Sequence, residues 1–166
     1  MCIRDRGEAG ADQQADLDAI AGYATALTEA VTSALPDWVE RSVQLRCHEN
    51  NLADADPQQV TEAGRAAAED IGCRLEQQLT LDIDDQWTTP LTIIRSAIKY
   101  PTEILSALGC PPTIRDDFAQ RANPGDLYDL TPASFADLGP EVHGHGIAWG
   151  AAKAHIHLRR RKGEGQ

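Results

Sequence analysis

Nine prolines punctuate this chain, and seven of them, at positions 36, 57, 90, 101, 112, 132 and 140, stand where an apolar helical pattern begins. Proline has no amide hydrogen and a fixed φ, so it is tolerated in the first turn of a helix but costs about 3 kcal/mol in its interior. The intervals between these prolines are of helical length. Strand-like alternation is nearly absent, and aromatic residues make up only 5% of the chain. The expected fold is therefore all-α, an irregular or orthogonal bundle of six to eight proline-initiated helices joined by short turns.

The apolar positions Leu17, Ile20, Ala24, Leu27, Val31 and Leu35 recur at steps of three and four. They predict an amphipathic helix over residues 12–35. A second helix is expected to restart at Pro36-Asp37, with Trp38, Val39, Val43 and Cys47 facing inward and Asn50-Asn51 marking its end. Asp56-Pro57-Gln58-Gln59 reads as an N-cap acid followed by proline at the first helical position. The helix it opens carries Val60, Ala63, Ala67, Ile71, Leu75 and Leu79 inward to about Leu81, with an extended connection after it. Thr89-Pro90 opens a helix interrupted at Tyr100-Pro101, and Gly109 stops its continuation. Short helices are expected around Ile114 to Phe118 and after Thr131-Pro132, and Gly139-Pro140 restarts the chain for the last one.

At 166 residues the chain suits one domain, and its 42% apolar fraction supports a core. Residues 12–162 are expected to form that domain, with residues 1–11 a disordered or non-native N-terminus and 163–166 a disordered tail. The longest apolar run, Gly146 to Ala152, is far short of the roughly 18 residues that a membrane helix needs. The formal charge is −11, and its distribution is uneven. Residues 151–166 carry five basic and one acidic residue, +4, which leaves −15 for the first 150. An acidic body argues against nucleic-acid binding. The basic end reads either as a helix terminus that complements its dipole or as an arm for an acidic surface. Cys47, Cys73 and Cys110 are scattered, with no CxxC, as expected of buried thiols in a reducing cytoplasm.

Four of the five histidines fall in the last quarter, as His143-Gly144-His145 and His155-Ile156-His157. In a glycine loop His143 and His145 can point the same way and hold a transition metal; on a helix they stand roughly 200° apart and cannot. A second candidate is the slim run Gly144, Gly146, Ala148, Gly150, Ala151, Ala152 and Ala154 around Trp149. It suits either a helix buried in its own domain or one presented to a partner, with Trp149 as the anchor, Lys153 beside it, and Arg159, Arg160 and Arg161 beyond. A third is polar: Arg95, Lys99, Tyr100 and Glu103, then Arg115, Asp116 and Asp117, then Asp126 and Tyr128. It reads as salt-linked surface or as an acid–base or anion site. No glycine-rich phosphate loop, GxGxxG, GxSxG or HExxH occurs, so no motif names a reaction, no catalytic residue is identified and no cofactor is expected.

Trp38-Val39-Glu40-Arg41-Ser42-Val43, Thr88-Thr89-Pro90-Leu91 and Tyr100-Pro101-Thr102-Glu103 resemble an uncharacterised family of small actinobacterial helical proteins. So do Leu130 to Leu138, Ala148 to Ala154 and His157-Leu158-Arg159-Arg160-Arg161, and the resemblance spans residues 36–161. It implies a small bacterial cytoplasmic protein and supplies no catalytic residue. Separately, Met1-Cys2-Ile3-Arg4-Asp5-Arg6 resembles translated sequencing-adapter read-through of the kind found in metagenome assemblies. The expected function is non-enzymatic: binding to a protein partner or to a second copy through the Trp149 helix and the basic end. The alternative is a small metal-dependent or anion-binding enzyme using His143, His145, Arg115 and Asp116.

Overall fold

The computed structural model describes residues 2–81, 88–113, 127, 128, 130 and 134–164, with side chains at 14–79, 90–113, 127, 128, 130 and 134–163. All regular structure among them is helical. Helix α1 spans Cys2–Glu49 and α2 Pro57–Leu81. Helix α3 (Thr88–Arg95) passes through a 3₁₀ turn, Ser96–Ile98, into α4 (Lys99–Ala107) without leaving helical conformation. A second 3₁₀ turn, Phe135–Leu138, precedes α5 (Pro140–Glu164). The described residues thus form four helical rods, not six to eight. The short helix expected around Ile114 to Phe118 lies outside them. None of the described helices is long and apolar enough to cross a membrane.

The main correction is at Pro36, which lies inside α1 instead of starting a second helix. The sequence stripe does not change phase there: Ile20, Leu27, Val31, Leu35, Trp38, Val39, Val43 and Cys47 are all buried along one face. Each large apolar side chain among them gains about 1.5–3 kcal/mol on burial, so Leu35, Trp38 and Val39 together outweigh the roughly 3 kcal/mol proline penalty. Helix α2 is shaped to this point. A Cβ at Gly64 would fall 2.9 Å from Pro36 Cα, and one at Gly72 would fall 2.9 Å from Thr32 Cγ2. Two glycines two turns apart therefore let α2 approach α1 closely, one at the proline itself and one a turn before it.

The helix ends follow the sequence more closely. At the end of α1, Asn51 takes φ +52°. The Leu52 amide then donates to Cys47 O at 2.9 Å and that of Asn51 to His48 O at 3.2 Å. Gly109, at φ +75°, ends α4 with the same pair of bonds, Cys110 to Leu105 O and Gly109 to Ser106 O. The Gln58 amide donates to Asp56 Oδ1 at 3.1 Å, the expected cap of α2. The interruption expected at Tyr100-Pro101 is met by the 3₁₀ turn just before it. Pro101 has no N–H for the carbonyl four residues back and its ring crowds that carbonyl, which tightens the preceding turn. Ser134 and Asp137 form a reciprocal capping box on the 3₁₀ turn that buries Phe135 and Leu138.

Candidate functional site

Helix α5 carries most of the candidate residues, and its two sides differ. The inner row is Val142, Gly146, Trp149, Lys153 and Ile156, at alternating steps of four and three, all buried. A Cβ at Gly146 would fall 2.7 Å from the Phe135 ring, so the slimness of the helix here is what admits Phe135. Trp149 is completely buried, and its indole N–H donates to Leu79 O at 3.4 Å. Leu79 lies in the last turn of α2, where carbonyls have no partner within the helix, so the indole joins α5 to the end of α2. Lys153 lies one turn on, with Nζ 4.6 Å from the Trp149 ring centroid.

Trp149 and Lys153 are therefore core residues, which corrects the reading of Trp149 as a docking anchor: its apolar area is already spent inside the chain. Arg159 and Arg160 are also engaged. Both pair with Asp16 of α1, Arg159 through Oδ1 and Arg160 Nε at 3.4 Å from Oδ2. The Asp16 side chain is only 7% exposed. Two cations thus compensate one buried carboxylate and fasten the end of α5 to α1. Arg161 and Lys162 are exposed.

His143 and His145 lie on α5, two residues apart, exposed and half-buried respectively. The glycines between and after them adopt helix and not loop, so the two imidazoles diverge by roughly 200° around the axis. No group of three or more His, Cys, Asp or Glu suited to a metal occurs among the described residues.

One stripe on the outer side of α5 is apolar, flanked by exposed His143, His155 and Arg159. Ile147 and Leu158 are 57% and 58% exposed, with exposed Ala151 and Ala154 between them on the same stripe. A Cβ at Gly144, one turn before Ile147, would meet nothing within 4 Å.

The polar candidate is partly assembled. Asp70 Oδ2 accepts from the Tyr100 hydroxyl at 3.0 Å and Arg74 Nη2 at 3.1 Å, with Lys99 Nζ at 3.8 Å. Arg74 Nη2 also reaches Ser96 Oγ at 2.7 Å. Burial by itself would raise the Asp70 carboxyl, but the Tyr100 hydroxyl, Arg74 and Lys99 together hold it below the usual carboxylate range. Burial and then the bond to Asp70 push the Tyr100 phenol up. The carboxylate is held by its donors as a clasp between α2 and α4. Sequence reading found Lys99 and Tyr100 but missed Asp70 and Ser96; the Asp70-Arg74 spacing of four was the available signal. Glu103 is exposed, and Tyr128 is turned inward, its hydroxyl donating to Cys110 O at 3.0 Å. Arg115, Asp116, Asp117 and Asp126 lie outside the described residues.

A cavity of about 440 Å³ opens between the end of α1 and the start of α2, with Val43, Cys47 and Val60 among its apolar lining and Glu40, His48 and Asp54 among its polar lining. Burial raises the Cys47 thiol, as it does that of Cys110. Neither is poised as a thiolate nucleophile.

Compared with protein-family models, curated proteins and solved structures, the chain has no match in any of the three.

Proposed function

We propose that this protein works by binding, presenting the outer face of α5 to another protein surface, and that it is not an enzyme. The observation that carries this reading is the exposure of Ile147 and Leu158 on one stripe of a helix whose opposite side is core. Scattered exposed apolar residues are ordinary on a protein surface. Two large ones joined by alanines along three turns form a continuous ridge of the kind that seats in a partner's groove. The exposed Arg161 and Lys162 at the end of the ridge favour an acidic rim on that partner. The expected setting is the bacterial cytoplasm that the sequence resemblance implies.

Native mass spectrometry of the protein purified gently from a bacterial host tests this reading, with Ile147→Glu and Leu158→Glu as the comparison. Both variants are expected to lose associated protein, whether a second copy or another chain, while keeping the helical circular dichroism of the parent. An association untouched by both substitutions would place the contact elsewhere.

A further inference from the structure

Resting on that docking reading, we propose that the occupant of the outer face of α5 is a second copy of this chain, packed antiparallel across the same face. A two-fold contact requires a patch complementary to itself. The exposed row Ile147, Ala151, Ala154, Leu158 meets this condition, because its order is large, small, small, large and its spacing is four, three, four. A two-fold axis passing between residues 152 and 153 sets Ile147 of each copy against Leu158 of the other. It also places alanine on alanine at the crossing, where small side chains let the axes approach to about 8 Å, the close end of helix packing.

Charge selects the direction. Glu141, in the first turn of α5, is exposed, as are Arg161 and Lys162 near its end. Arg159 and Arg160 share the Asp16 carboxylate within the chain, Arg159 while still exposed, which leaves Arg161 and Lys162 as the exposed cations at this end outside that pairing. In the antiparallel register Lys162 lies level with position 143 of the second copy, about 3 Å along the axis from its Glu141 and within reach of a lysine. A parallel register would set Arg161 and Lys162 against themselves and Glu141 against Glu141. Opposed helix dipoles favour the same choice. One helix face is small beside the roughly 1,200 Å² of total buried surface typical of stable complexes, so the dimer should form and dissociate with concentration.

Light scattering on size-exclusion fractions of the pure chain over a dilution series tests the proposal. Dimers are expected at high concentration, and monomers at every concentration for Ile147→Glu. Glu141→Lys is expected to weaken the dimer roughly two- to fivefold, and adding Lys162→Glu to the same chain to restore it. A pure chain that stays monomeric throughout, while a complex with a different host protein is still lost in Ile147→Glu, would overturn the second-copy assignment and leave the docking reading standing. A dimer that survives both Ile147→Glu and Leu158→Glu would overturn both. Failure of Lys162→Glu to rescue Glu141→Lys would overturn the antiparallel arrangement.

Discussion

Gly144 and Gly146 are separated by one residue on α5 and occupy opposite physical situations. A methyl group at Gly146 would collide with the Phe135 ring, whereas one at Gly144 would stand in open space. The same division runs along the helix. Val142, Trp149 and Ile156 are buried, while Ile147 and Leu158, of similar hydrophobicity, are more than half exposed. The contrast shows that composition does not decide which side of this helix is core: apolar residues lie on both sides, and the elements packed against one of them make the choice.

Three substitutions bear on that contrast, in order of decreasing effect. Trp149→Ala removes the largest buried side chain of the inner row together with its bond to Leu79 O, and should lower stability by about 3–5 kcal/mol, read as a lower urea midpoint. An effect under about 1 kcal/mol would mean that the inner row is not the core side. Next, Gly146→Ala should destabilise by about 1 kcal/mol, because overpacking against Phe135 exceeds the helix-propensity gain, whereas Gly144→Ala should stabilise by roughly 0.5–1 kcal/mol. Thermal melts of the two variants should therefore shift in opposite directions, and shifts of the same sign would contradict the division of α5 into two faces.

The smallest effect belongs to the Asp70 clasp, a polar counterpart to these apolar contacts. Its carboxyl is depressed in the folded state, so the unfolded chain binds the proton more readily. The stabilisation is then present above the ordinary aspartate range near pH 4 and is lost as pH falls through the folded value. Asp70→Asn should flatten the acid limb of a stability–pH curve and lower stability near neutrality by less than about 1 kcal/mol, since the pairs it makes are partly solvated. An unchanged acid limb would show that the clasp does not contribute.

Much of the helical frame was legible in the order of residues. The three-and-four stripe of α1, the Asp56-Pro57 start of α2, and the stops at Asn51 and Gly109 are local features, set by side-chain periodicity, a missing amide hydrogen and a positive φ. Pro36 was misleading because its local penalty is real but is exceeded by burial against α2, at a place where Gly64 makes room. The candidate site was less legible. Trp149 suits an interface and a core equally well as a residue type, and its burial follows from the packing of α5 on α1, with the end of α2 accepting its indole N–H at Leu79 O. The pairing of Arg159 and Arg160 with Asp16 joins residues more than 140 positions apart, and no spacing rule anticipates it.

Taken alone, the amino-acid sequence determined that this chain is all-α, where several of its helices start and stop, and that its body is acidic with a basic end, because each of these depends on residues near one another in the chain. Only the tertiary structure decided that α1 runs through Pro36, that Trp149 and Lys153 lie inside while Ile147 and Leu158 lie outside, and which basic residues are already neutralised. Those outcomes depend on which distant surface supplies burial or opposite charge, and that surface exists only once the helices have packed.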